Sequence, residues 1–177
     1  LFDTAAFNVN AFAPGPKYFV TSLKIRLGEK LFYDVSLSGT GTRSCASCHQ
    51  PGKAFTDGLA KNIAIHGKTL IERNTPTLIN AALQSNLFYD MRALTLEDQA
   101  RDVIQNKTEM DGSLQEIVKR IAQNKTYSRL FAEAFPEKKQ AAIDTFEVMN
   151  ALASYVRSLT KLNSRFDQYM RGDIMAL

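Results

Sequence analysis

The stretch Ser44-Cys45-Ala46-Ser47-Cys48-His49 decides how this chain is read. It holds both cysteines of the 177-residue sequence and one of its two histidines. The spacing C-x-x-C-H is the attachment signature of a c-type haem. Two thiols about one helical turn apart reach the two vinyl groups of one porphyrin, and the next residue presents its imidazole to the iron as proximal ligand. Three other readings use the same residues. A thioredoxin-like redox pair wants a βαβ setting, which this sequence lacks. Zinc would need two ligands besides Cys45 and Cys48, yet His49 is badly placed beside Cys48 and only His66 remains. A Cys45–Cys48 disulfide closes so small a loop that it adds little stability. Covalent haem, one in this chain, accounts for all three residues. Because haem is attached outside the cytoplasm, the expected location is periplasmic or equivalent.

Composition agrees with one globular domain. The chain is 45% hydrophobic and 23% charged, with nine glycines and five prolines, which excludes a collagen, a long disordered tail and a disulfide-dense scaffold. Its length allows a sizeable core without disulfides. No apolar run reaches the roughly 18 residues of a membrane span, and no leader-like segment opens the sequence. A start at Leu1 is expected of a mature, trimmed or excised chain. The 22 Lys and Arg are scattered among 18 Asp and Glu for a net charge of +4, so no basic stripe suggests nucleic acid.

Outward from the motif, the expected class is mainly α. Residues 1–21 form an irregular lead-in containing Pro14, Gly15 and Pro16. Leu23, Leu27 and Leu31 recur every four residues and predict a helix over 22–33. Residues 36–42 are rich in Ser and Gly and read as a loop. Residues 50–75 show no period, and a structureless stretch that long is expected to wrap a ligand. Thr95 caps a predicted helix running to about Asn106. Ser113 and Glu116 suggest a capping box ahead of Leu114, Ile117, Val118 and Ile121. Tyr127, Leu130, Phe131 and Phe135 predict a helix stopped by Pro136, and residues 142–160 carry the longest helical period.

A second axial position follows from any haem, and its candidates are few. His66 lies in the aperiodic loop, while Met91, Met110, Met149, Met170 and Met175 are more readily core or surface methionines than ligands. An enzyme would instead keep that side open and stand an acid–base group over it. Glu109, in the predicted inter-helix loop Asn106-Lys107-Thr108-Glu109-Met110-Asp111-Gly112, is a candidate, though position alone equally fits an ordinary surface carboxylate.

Taken together, several ordered blocks resemble the bacterial di-haem cytochrome c peroxidase family, which includes MauG-like enzymes. They are Leu27 to Asp34, Ser44 to His49, Arg73-Asn74-Thr75-Pro76-Thr77-Leu78, Phe88 to Ala93, Leu96 to Ala100, Asn106 to Met110, and Leu152 to Leu159. The resemblance implies a cytochrome c-like helical domain with long haem-wrapping loops over 22–173, followed by a tail, 174–177, leading toward an absent second haem domain. It implies reduction of hydrogen peroxide to water at the N-terminal haem. Electrons would come from a second c-type haem in a C-terminal domain, itself fed by a small cytochrome or cupredoxin, with a homodimer as a further expectation. By the same resemblance Cys45 and Cys48 carry the thioethers and His49 is the proximal ligand. His66 is a loop histidine that caps the iron conditionally. Glu109 is the distal acid–base group with Gln99 beside it, Asn74 is a ligand of a calcium ion between the domains, and Tyr89 stands where many members have tryptophan.

Two departures shape the expectations. Tyr89 rules out a tryptophan-mediated electron route at that place, and no second C-x-x-C-H follows before Leu177. The chain is therefore expected to be a fragment or a separated N-terminal domain. A plain electron-transfer cytochrome and a MauG-like oxidase acting on a protein side chain are the competing functions.

Overall fold

The computed structural model describes residues 15–138 and 142–177, so the greater part of the predicted lead-in lies outside the described residues. Seven helices are described: α1 (Ser22–Phe32), α2 (Cys45–Cys48), α3 (Leu96–Gln105), α4 (Leu114–Gln123), α5 (Lys125–Ala134), α6 (Thr145–Ser158) and α7 (Arg165–Met170). Among the described residues there is no strand, only the isolated bridges Gln50–Thr56, Ile63–Leu70 and Leu87–Ala93. The mainly α expectation holds.

Helix α6 is the axis of the fold. Asp144 accepts from the Glu147 N–H and Glu147 accepts from the Asp144 N–H, each at 3.0 Å, a capping box that starts the helix. Val148, Met149, Ala151, Leu152, Ala153 and Tyr155 are all buried, so the helix is apolar on nearly every side and lies inside the molecule. Helix α1 crosses it through Leu27, Leu31 and Phe32, which are at most 2% exposed. Leu23, first of the predicted stripe, is instead exposed. Ile117 and Ile121 of α4 and Tyr127 and Phe131 of α5 close the same core. Each such side chain contributes roughly 1.5–3 kcal/mol by leaving water.

On the other flank, α3 is pinned to α6 by charge. Arg157 donates to both oxygens of Glu97, at 2.7 and 2.8 Å, and Asn150 donates to Glu97 at 2.9 Å. All three residues are buried, so the pairing compensates a desolvation that neither charge could bear alone. Periodicity cannot show such a pairing, because its partners are sixty residues apart.

Two expectations change and one element is new. The Ser113–Glu116 capping box does not form, since Ser113 makes no side-chain cap hydrogen bond. Both residues are exposed, where water can satisfy the first-turn N–H groups. Helix α5 begins earlier than its apolar residues suggest, at Lys125, because Asn124 accepts from the Thr126 and Tyr127 N–H groups. Helix α7 has too short a period to be seen in sequence; Ser164 and Asp167 cap it reciprocally.

The α1–α6 crossing depends on Gly28. A Cβ built there would lie 1.9 Å from the Ala151 carbonyl oxygen, so the two backbones touch. Gly28→Ala is expected to push the helices apart and lower stability by about 1–3 kcal/mol, the usual consequence of overpacking. Denaturant unfolding of the haem-loaded protein measures it, and an unchanged midpoint would show that the crossing tolerates the methyl group.

Candidate haem site

Helix α2 is a single turn, and its purpose is placement. The Ser44 N–H donates to Ser47 Oγ at 3.0 Å, and the His49 N–H donates to the Cys45 carbonyl at 2.9 Å. Cys45 and Ala46 pack against the main core. Both thiols are free. Burial pushes the Cys45 thiol up to about 12 and raises Cys48 as well, Cys48 with a further push from Asp57 and Glu109 against the pull of Arg43. Left to themselves these sulfurs are held neutral, unlike the low-pKa thiolate of a redox pair. A thioether is also neutral and apolar, so it suits the same positions. Among the described residues no three His, Cys, Asp or Glu side chains gather as a metal cluster.

His49 is oriented by the loop that follows. Its Nδ1 lies 2.9 Å from the Phe55 carbonyl oxygen. A carbonyl only accepts, so Nδ1 carries the proton and Nε2 keeps its lone pair. Burial lowers the His49 pKa against the upward pull of the Phe55 and Pro76 carbonyls and Asp57, which keeps the ring neutral. A neutral imidazole with a fixed tautomer is what an iron ligand requires. The cost is local backbone strain: Ala54 and Phe55 both adopt left-handed φ, at 53° and 58°. Gln50 holds that turn, accepting from the Phe55 N–H at 2.9 Å and donating its own N–H to Thr56 at 3.0 Å.

The aperiodic segment 50–75 is ordered by polar anchors in place of helices. Asp57, 2% exposed, accepts from the Leu59 N–H at 2.9 Å, Asn62 Nδ2 at 2.9 Å and the Thr75 hydroxyl at 2.8 Å. Asn62 also reaches Cys48 Sγ at 3.3 Å, tying this anchor to the motif. Sequence reading missed Asp57; a lone carboxylate in a polar loop carries no pattern.

His66 is exposed at the tip of a hairpin-like turn closed by the Ile63–Leu70 bridge. The Ile65 N–H donates to the Thr108 carbonyl at 2.8 Å, so the tip rests on the loop that carries Glu109. Asn106 builds that loop. Its carbonyl accepts from the Glu109, Met110 and Asp111 N–H groups, and its side chain holds Thr108 and donates to Glu109 Oε1 at 2.9 Å. The Gly39 N–H donates to Met110 at 2.8 Å, and a Cβ at Gly39 would lie 2.0 Å from the Asp111 carbonyl oxygen. The Ser/Gly-rich stretch before the motif thus supports the Glu109 loop.

Glu109 is half-buried, and burial raises its pKa while Arg92 pulls it down. Arg92, which carries no signal of its own in the sequence, also pairs with Asp90 at 2.8 Å and lies over the Phe88 ring. Gln99 lies half-buried in α3, and no hydrogen bond among the described residues joins it to Glu109. Tyr89 is 90% exposed, with the Arg73 guanidinium 5.7 Å from its ring centroid. Asn74 is exposed beside Arg73, a single amide that would need further ligands to hold calcium. Met110 and Met149 are buried core residues, and Met91, Met170 and Met175 are exposed.

A helical fold with a neutral, tautomer-fixed histidine directly after two free, partly buried thiols defines a c-type haem domain. The family model described as di-haem cytochrome c peroxidase matches residues 22–175, and the chain belongs to that family. It is 35% identical over 159 residues to the methylamine utilization protein MauG of Methylophilus methylotrophus, covering 89% of this chain and 46% of that protein. It is also 35% identical over 152 residues to the cytochrome c551 peroxidase of Pseudomonas aeruginosa, covering 85% of this chain and 43% of that one. The crystal structure of a MauG-like protein associated with microbial copper homeostasis superposes with a TM-score of 0.79 at 33% identity, over 90% of this chain and 50% of that one. The chain spans about half the length of the relatives it matches. Family membership implies haem c, and the residues around Cys45, Cys48 and His49 fit it.

Asp57 supplies a pH-dependent prediction. Burial pushes its carboxyl up, but the hydrogen bonds from Leu59, Thr75 and Asn62 outweigh that and hold it below the ordinary range. Its stabilisation is therefore complete above the unfolded pKa of about 3.9 and is lost as pH falls through the lower folded value. Asp57→Asn is expected to cost about 1–3 kcal/mol at pH 7, with the gap to the parent narrowing below about pH 4. Urea unfolding across that range is the measurement; a gap constant down to pH 3 would exclude an ionised Asp57 as the anchor.

Proposed function

We propose that residues 22–173 form the N-terminal haem domain of a periplasmic di-haem peroxidase, which reduces hydrogen peroxide to water. Cys45 and Cys48 hold the haem through thioethers and His49 Nε2 holds its iron. The bound haem supplies an iron that accepts peroxide and exchanges electrons with a second c-type haem in the remainder of the protein.

What this chain adds is proton handling. Reduction of peroxide to water needs a proton removed from the oxygen that binds and returned to the oxygen that leaves. Glu109 performs both transfers. The observation that carries this role is its environment: a carboxyl raised by burial, fixed by Asn106 at 2.9 Å, in the loop on which the His66 tip rests. A raised pKa brings a carboxylate closer to the working pH, where giving and taking a proton are both easy. With haem bound, His66 would be the side chain able to cap the iron and would have to withdraw to admit peroxide. Gln99 orients the bound peroxide by hydrogen bonding.

The outward-facing residues serve the rest of the protein. Tyr89, exposed with Arg73 against its ring, faces the second haem domain and takes the place of the family's tryptophan. Asn74 contributes one ligand to a calcium ion shared with that domain. A small cytochrome or cupredoxin feeds the second haem, and the whole protein pairs as a homodimer. No helix among the described residues is long and apolar enough to cross a membrane. A second reading, a MauG-like oxidase acting on a protein side chain, draws support from the equal 35% identity to MauG and peroxidase relatives. Peroxide consumption with a reduced cytochrome as sole donor separates the two.

Glu109→Gln in the full-length haem-loaded protein is expected to lower peroxide turnover by about 10²–10⁴-fold with the haem spectrum unchanged. Turnover within a few-fold of the parent would remove Glu109 from the mechanism. Arg92→Ala gives an independent check through charge. Losing the cation lets the Glu109 pKa rise further, so the acid limb of kcat/KM is expected to move to higher pH. A limb that stays in place or moves to lower pH would show that Glu109 is not the group titrating there.

A further inference from the structure

Asp111 has no part in the function proposed above, yet it is the residue that holds His66. His66 Nε2 lies 3.2 Å from Asp111 Oδ2. Nε2 is the ring nitrogen turned toward the carboxylate, so in this contact it faces Asp111. The same nitrogen cannot bind a metal while it is held this way. We propose that Asp111 is a latch for His66, a positioning residue that keeps the imidazole off the iron and so sets how often the site is open. The inference rests on the reading of His66 as a conditional iron ligand and adds what it is exchanged against.

The two sides of the contact are built differently. Asp111 is fixed from every direction the chain allows. Its other oxygen accepts from Lys107 Nζ at 2.7 Å, and its N–H donates to the Asn106 carbonyl at 2.8 Å. Its backbone takes the left-handed φ of 48° and lies hard against Gly39, where a Cβ would come within 2.0 Å of the Asp111 carbonyl oxygen. His66 is free to travel by comparison. Its side chain is 52% exposed, and the following Gly67 turns the tip at φ 72°, a conformation glycine adopts without strain. Moving the imidazole breaks no core contact, because the hairpin-like turn behind it is closed by backbone hydrogen bonds between Ala64 and Thr69 and between Asn62 and Ile71.

Glu109 lies two residues before Asp111 in the same Asn106-organised loop. One short segment therefore carries the proton relay and the anchor that holds the capping ligand away. A displacement of this loop would disturb both together, which couples a closed iron to a misplaced Glu109. The latch is a partly exposed pair, so its expected effect is modest, a shift of about three- to fivefold in the capped-to-open ratio.

Full-length haem-loaded protein with Asp111→Gly tests the latch, because glycine accepts the left-handed backbone and removes the side chain that holds His66, releasing Lys107 as well. The readouts are the ferric spin state at rest and the cyanide dissociation constant of the N-terminal haem, neither of which requires turnover. Asp111→Gly is expected to raise the low-spin, six-coordinate fraction and to weaken cyanide about three- to fivefold. Adding His66→Ala should abolish both changes, and Asp111→Asn, which keeps an acceptor oxygen and tolerates the same φ, should fall between parent and glycine variant. If His66→Ala alone alters the spin state while Asp111→Gly shifts cyanide binding by less than about 1.5-fold, the latch is wrong and capping by His66 stands. If neither variant changes either readout, or if the effect of Asp111→Gly survives His66→Ala, both the capping role and the latch are overturned.

Discussion

The hydrogen bond from His49 Nδ1 to the Phe55 carbonyl sets the terms for the rest of the site. It assigns the proton to one ring nitrogen, leaves the other with a lone pair, and fixes the plane of the imidazole. Forming it obliges the chain to turn back within six residues, through two successive non-glycine residues in the left-handed region. Such a turn persists only where its surroundings over-determine it. Gln50 and Thr56 close it, Thr77 ties the Ala54 carbonyl, and Asp57 anchors the chain that leaves it. The strain at Ala54 and Phe55 is thus the local consequence of orienting the His49 ring.

Around that bond the molecule divides into a rigid frame and a set of tethered loops. The frame is α6 with α1 and α3, joined on one flank by a helix crossing that admits only a glycine and on the other by the buried Glu97–Arg157 pair. Phe55 belongs to both parts: its carbonyl orients His49, and its ring lies 6.2 Å from that of Phe32 in α1. The loops gain order from side-chain anchors where helices are absent. Asp57 organises one and Asn106 the other, and the Ile65–Thr108 backbone hydrogen bond and the His66–Asp111 contact bring the two together. Frame residues determine where the haem-binding turn stands. Loop residues determine what faces it.

Much of this was legible in order. The helices over Ser22–Phe32, Leu96–Gln105 and Thr145–Ser158 follow from apolar period and caps, because burying one face of a helix requires that period whatever the partner is. Cys45, Cys48 and His49 were legible because their chemistry demands a fixed spacing. Asp57 was not legible, since its partners Asn62 and Thr75 are ordinary loop residues until the chain folds back on itself. Ser113 misled for the opposite reason: the pattern was present, but an exposed helix start can use water for its cap.

The amino-acid order alone establishes a mainly helical domain, its attachment motif and the family that shares its blocks, because local spacing and periodicity are properties of neighbouring residues. Only folding brings Glu97 to Arg157, seats Asn106 under Glu109, turns Tyr89 outward and places Asp111 against His66. Those relations join residues up to sixty positions apart or hang on single backbone angles, and nothing in a linear pattern records either.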